Sequence, residues 1–245
     1  MSERAKWAGI AYLALLVSIT GAALVGLAGP GYRMGWWPLG TGLQQMLRWG
    51  AYAGIAGASL GFLMLLVNRR HIASKAFLSA LLAMVVGIII VAIPFQWQRQ
   101  AQQVPRIHDI TTDTVTPPTF DAVVALRVDA NPLTYTEAKA EAQREGYPDL
   151  GPLMLDAAPA DAYARALALV GARGWALVSD SAEARVIEAT ATTRWFGFKD
   201  DVVIRVSAMP DGGSRVDMRS VSRVGRSDVG TNARRIQEFL AELAQ

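Results

Sequence analysis

Three apolar stretches within the first 98 residues constrain this chain more than any other feature. Residues 7–28, 43–67 and 76–97 are each long enough to cross about 30 Å of hydrocarbon as a helix, and the only charge among them is Arg48, near the outer end of the second. Backbone polar groups in lipid have no water to bond, so such stretches are expected to form three transmembrane helices. Small residues recur in all three, notably Gly54, Gly57 and Gly61. These let helix backbones approach closely, which predicts a packed three-helix bundle. Trp7, Trp36, Trp37, Trp49 and Trp97 lie near the expected helix ends, where an aromatic belt belongs.

Charge divides the chain at the same place. Up to Gln98 there are seven Lys and Arg against one acid, Glu3; beyond it there are seventeen against twenty. The basic pI of about 9.4 therefore comes from residues flanking the membrane segments and does not argue for nucleic acid as a partner. Arg4 and Lys6 precede the first span, Arg69, Arg70 and Lys75 separate the second from the third, and Arg33 alone lies between the first and second. The positive-inside rule then puts the N-terminus in the cytoplasm and everything after the third span on the opposite side. In a bacterium this is a multi-pass inner-membrane protein with a periplasmic C-terminal domain. The first span is longer than a usual signal-peptide core and two more follow it, so it reads as an uncleaved anchor. No ionisable side chain lies deep in any span, which argues against transport. The absence of cysteine removes disulfides, thiol catalysis and thiolate metal sites.

Residues 99–150 read as an extended linker followed by a Pro/Thr-rich segment laid against the domain. Gln98 to Val104 is a polar exit, Pro117 and Pro118 deny helix, Asp121 is placed to cap a turn over Phe120 to Leu126, and residues 136–145 suit a short helix. The domain proper, residues 151–245, alternates more clearly. A strand at Leu153–Leu155 precedes a helix opened by Pro159 and closed at Arg173-Gly174. Strands follow at Trp175 to Val178, within Arg185 to Phe198, at Val202 to Ala208 and, after the Asp211-Gly212-Gly213 turn, from Val216. An amphipathic helix from Asn232 to Leu243 closes the chain. The expected fold is α+β: a three-helix transmembrane bundle, then a soluble domain with a small antiparallel sheet covered by two helices.

Two motifs carry a resemblance. Ile107-His108-Asp109-Ile110-Thr111-Thr112-Asp113 with Pro117-Pro118, and the closing run from Arg219 through Gly225-Arg226-Ser227-Asp228-Val229-Gly230-Thr231-Asn232 to Ile236, together resemble the domain of unknown function 1499 family over roughly Pro105 to Leu243. The resemblance implies a bacterial envelope or plastid-type membrane context. It brings no activity with it.

Two constellations bear on function. Arg219 and Arg223 share a strand face that Arg205 joins from the neighbouring strand, with Arg226, Ser227 and Asn232 at the start of the last helix. Guanidinium groups beside a helix N-terminus make an anion site for a lipid phosphate or a polysaccharide carboxylate. Against this, Asp217 and Glu188 can pair with the arginines on a solvated sheet face, and Ser227 or Asp228 can cap the helix. His108, Asp109, Thr112 and Asp113 form a motif without an assigned role; the competing readings are an acid/base set and side chains that cap backbone amides. No metal-ligand spacing, GxSxG, HExxH or P-loop is present, and His71 falls in the connection between spans two and three. Trp195-Phe196-Gly197-Phe198 is expected to pack beneath a hairpin, the competing reading being a bulged, exposed tip that dips into a membrane or grips a ligand, and Asp200-Asp201 is expected to form a turn in preference to a calcium site. The reading that results is an anchored protein without cofactor or metal, whose partners are the lipid bilayer and an anionic envelope component or a membrane protein. The alternatives are an envelope hydrolase using Asp109, Asp113 and His108, and a structural subunit of a membrane complex.

Overall fold

The computed structural model describes residues 3–70 and 74–245, so His71 lies outside the described residues. The chain falls into two compact units, residues 1–99 with Trp195–Gly197, and residues 100–194 with 198–245.

In the first unit, α1 (Glu3–Arg33), α2 (Leu47–Asn68) and α3 (Lys75–Gln103) are long and apolar, and a π-helical stretch, Thr41–Met46, leads directly into α2. Counting that stretch with α2, all three helices are long and apolar enough to cross a membrane. Their packing follows from where the glycines fall. α2 carries two glycine rows at seven-residue spacing. Gly50 and Gly57 face α1, and a methyl group on Gly57 would lie 2.1 Å from Ser18 Oγ. Gly54 and Gly61 face α3, and a methyl group on Gly61 would lie 2.6 Å from the Ala80 carbonyl oxygen. Close backbone approach is what holds helices together where lipid is as apolar as leucine. Ser18 Oγ adds a bond to the Ala83 carbonyl at 2.8 Å.

The aromatic loop is a correction to the sequence reading. Trp195 and Phe196 join the apolar helices instead of tucking under a hairpin. The Trp195 ring lies 5.0 Å from Trp97, and Phe196 lies 6.3 Å from Tyr32 and is almost wholly buried. The reason is partly chemical. Pro30 sits inside α1 without an N–H, which frees the carbonyl of Gly26 one turn earlier. The Trp195 indole donates to that carbonyl at 3.3 Å.

In the second unit, β1 (Asp109–Thr111), β2 (Leu153–Leu155), β3 (Ala176–Ser181), β4 (Val186–Thr192), β5 (Lys199–Ala208) and β6 (Ser214–Ser222) form one antiparallel sheet. The order is β1-β6-β5-β4-β3, and β2 pairs with the first residues of β6 on the edge whose last residues pair with β1. Two-residue alternation places Ile187, Ala189, Val202, Ile204, Val206, Val216 and Met218 on one face. There they meet α5 (Pro159–Ala172) and α6 (Thr231–Leu243) through Tyr163, Val170, Ile236, Phe239 and Leu243, and Trp175 stacks on Phe239 at 5.3 Å.

Three local expectations change. The exit segment is helical to Gln103, because its Gln and Ala residues favour helix and Pro105 stops it. Asp200 and Asp201 lie within β5 and are buried, with ion partners that no turn would provide. The turn over residues 122–126 is a 3-10 helix whose amides are held by Glu188 from β4, with no side-chain cap from Asp121. The second face of the sheet is not solvated either. Residues 112–136, which we call the strap, cover it.

Gly61→Val should force α2 and α3 apart, an overpacking cost of about 1–3 kcal/mol or more. It should lower the melting temperature of the full chain in detergent, whereas Gly9→Val, which meets nothing within 4 Å, should not.

Candidate functional site

The strap has little regular structure, so its backbone groups need partners from the sheet. Those partners are charged. Asp109, fully buried in β1, accepts Nε and Nη2 of Arg219 at 2.9 and 3.0 Å and Lys139 Nζ at 3.0 Å. Arg219 spends its remaining donors on the strap carbonyls of Pro118 and Leu133, at 3.2 and 2.6 Å, and sits between the rings of Phe120 and Tyr135. Burial pushes the Tyr135 phenol well above its usual pKa, reinforced by the Asp109 charge.

A second group forms around Asp201 on β5. Its carboxylate accepts Arg223 at 2.9 and 2.8 Å, Thr190 Oγ1 at 2.7 Å and Arg127 of the strap. Burial pulls its pKa up, but the Arg223 and Thr190 hydrogen bonds outweigh this and hold it below the usual carboxylate range. Arg223 also donates to the Leu126 carbonyl at 2.9 Å.

The third group joins Asp113 and Asp217. Arg205 and Arg215 donate to both carboxylates at 2.9–3.3 Å. Thr112 Oγ1 donates to Asp217 at 3.0 Å and accepts the Met218 amide at 2.9 Å. Asp113 also takes the amides of Val115 and Thr116. Burial raises its pKa, while those amides and the two guanidinium groups bring it below normal. Glu188 completes the face by accepting the amides of Asp121, Ala122 and Val123 at 2.9–3.1 Å.

The residues singled out in the sequence are thus placed as follows. Asp109 and Asp113 belong to separate ion-pair groups with no shared partner, and Glu188 binds amides instead of arginine. The backbone carbonyl of His108 accepts Ser222 N–H and Asn232 Nδ2, while its imidazole Nε2 is buried without a hydrogen-bond partner. Burial lowers the His108 pKa, and the Lys139 charge lowers it further. Asn232 is fully buried. Its amide bridges His108 and Ser222, and its oxygen accepts Ser220 and Arg235. Ser227 Oγ accepts the Val229 amide, and Asp228 caps the start of α6 through the Asn232 amide at 2.7 Å. Burial raises the Asp228 pKa against the pull of the Asn232 and Gly230 amides. Arg226 is exposed and in no ion pair among the described residues. Among the described residues no group of three His, Cys, Asp or Glu side chains is placed to hold a metal ion.

Several participants escaped the sequence reading, among them Lys139, which pairs with Asp109. Arg127 shares Asp201 with Arg223. Gln143, on α4 (Glu137–Gly146), bonds both Thr111 N–H and Thr111 C=O, at 3.0 and 2.6 Å, and so closes the free edge of β1.

A family model described as Protein of unknown function (DUF1499) matches residues 109–243, from β1 to the end of α6. The comparison with curated proteins gave no match.

Removing one member of a buried ion group strands the others. Asp201→Asn should lower stability by about 3–5 kcal/mol, read by chemical denaturation of the full chain, and an unchanged midpoint would contradict the assignment. Asp113 and Asp201 have folded pKa values below their unfolded ones, so their contribution is complete above the unfolded pKa of about 4. It should be lost as the pH falls through the lower folded values, visible as loss of sheet signal by circular dichroism.

Proposed function

We propose, from the premise that this chain belongs to the family described as Protein of unknown function (DUF1499), that it is a membrane-anchored binding protein and not an enzyme. Three helices long and apolar enough to span a membrane carry a domain whose interior charges are used to hold its own strap. Loop charge supports an inner-membrane location with the N-terminus in the cytoplasm and the domain in the periplasm. Its ligand on this reading is an anionic envelope component, such as a lipid phosphate or a uronic carboxylate, or an acidic partner protein.

The observation that carries the binding reading is the contrast among the arginines. Arg205, Arg219 and Arg223 are engaged with aspartates on the covered face. Arg226, in the loop before α6, is exposed and in no ion pair among the described residues. Of the anion-site arginines drawn from the sequence, it is the one whose guanidinium is not committed to an aspartate among the described residues, and a guanidinium is suited to bidentate contact with phosphate or carboxylate. The Ser227–Asn232 segment then acts as support for the loop.

A hydrolase built on Asp109, Asp113 and His108 is favoured by one feature, the unpartnered His108 Nε2 with its lowered pKa. Against it, Asp109 is fully buried and held by two cations. A general base needs hydrogen-bond reach to substrate.

Purified full-length protein in neutral detergent should bind glycerol phosphate or oligogalacturonate in a titration. Arg226→Ala should weaken that binding by roughly 10- to 100-fold, the worth of a charge-assisted hydrogen bond. Unaltered affinity in that variant would remove Arg226 from the site. A C-terminal phosphatase fusion should be active, and an active cytoplasmic reporter there would overturn the orientation.

A further inference from the structure

Basic and apolar side chains collect at one end of the sheet in the second unit. β1 and β5 begin there and β6 ends there, as three backbone bonds define. Ser222 N–H donates to His108 O at 2.9 Å, Arg223 N–H to Lys199 O at 2.9 Å, and Asp228 N–H to Ile107 O at 3.2 Å. Arg106, Lys199 and Arg226 are exposed at this end and in no ion pair among the described residues. The strap is fastened to the same end, where Asn131 N–H donates to Arg223 O at 2.7 Å and Asn131 Nδ2 to Gly225 O at 2.8 Å. It brings Leu126 and Val128 to this end, 50% and 81% exposed, with the Leu126 carbonyl bonded by Arg223, the residue before the exposed Val224. Asp129 is an exposed acid next to them. Exposed apolar side chains among unpaired cations form an amphipathic surface, the combination that anionic bilayer interfaces select.

Chain connectivity points the same way. The chain passes between the two units at 99/100, 194/195 and 197/198. β1 starts at Asp109, six residues beyond the end of α3 at Gln103, a tether of ~20 Å at full extension. The β4–β5 connection leaves and returns at this end as well, with Thr193 N–H bonded to Phe198 O.

We infer that this end of the sheet docks on the lipid surface, with Arg106, Lys199 and Arg226 at the phosphates of anionic lipids and Leu126, Val128 and Val224 entering the interface. The inference rests on the membrane-anchored reading above and names lipid headgroups as the anion that Arg226 meets.

The chain has no cysteine, so single-cysteine variants can be labelled cleanly. Val128→Cys and Val224→Cys report on the proposed surface. Asp211→Cys, in the turn between β5 and β6 at the other end of these strands, serves as reference. Each full-length variant carries an environment-sensitive fluorophore and is reconstituted into phosphatidylcholine discs, with and without phosphatidylglycerol. The expected result is blue-shifted emission and several-fold stronger quenching by headgroup-proximal doxyl lipid at 128 and 224 than at 211. Phosphatidylglycerol should enhance both signals, and Lys199→Glu with Arg226→Glu should abolish the enhancement. Equal quenching at all three positions would overturn the inference. So would a blue shift at 128 and 224 without lipid quenching, which marks a protein contact instead. If quenching is absent while Arg226→Ala still weakens binding of soluble anions, the docking fails and the binding reading stands.

Discussion

The ionic layer between the strap and the second face of the sheet is the constraint on which the rest of the soluble unit depends. Asp109, Asp201 and Asp217 are essentially without solvent, and a desolvated carboxylate persists only where donors converge on it. Each has them from more than one chain segment. Buried ion pairs are a weak source of net stability, and apolar replacements often do better. The strap explains why they are used here. An irregular segment brings bare N–H and C=O groups onto the sheet, and leucine cannot satisfy them. Arg219 can, because one guanidinium bonds Asp109 and two strap carbonyls at once. Glu188 does the converse for three strap amides.

That economy bears on the binding role proposed above. Groups with the chemistry to act, the aspartates and arginines of the covered face, are occupied in holding the strap. At the rim, Arg106, Lys199 and Arg226 are exposed and in no ion pair among the described residues. A binding role at the rim is compatible with the closed interior, whereas acid/base chemistry on Asp109 would require opening it.

The three long apolar helices were legible because lipid imposes a single rule on a long apolar run. The helix-facing side of the sheet was legible too, since Val202, Ile204 and Val206 alternate, and so was α6 from its stripe. The strap was not. Its contacts run from sheet side chains to its backbone and to its own Asp113 and Arg127, carry no period, and join residues as far apart as Pro118 and Arg219. One signal was present and carried more than was drawn from it. Val202-Val203-Ile204 is a continuous apolar run, and such a run marks a strand buried on both faces. Val203 and Val221 share the charged face and are completely buried, so that face could not have been solvated. The arginines were correctly assigned to one face, but their partners lay in segments that alternation does not describe.

The same requirement operates in both units despite their different surroundings. At three places where regular structure leaves backbone groups without a partner, a side chain distant in sequence takes them. Pro30 frees the Gly26 carbonyl inside an apolar helix, and the Trp195 indole, 169 residues away, bonds it. β1 ends the sheet with Thr111 unpaired on its outer side, and Gln143 supplies both a donor and an acceptor. The 3-10 turn of the strap exposes three amides, and Glu188 receives them. In each case the partner's identity is fixed by geometry: a single donor for a lone carbonyl, a carboxamide for a donor–acceptor pair, a carboxylate for clustered amides. Trp195, Gln143 and Glu188 are therefore explained by the backbone they complete, which separates them from Arg106, Lys199 and Arg226, whose charges meet no carboxylate among the described residues.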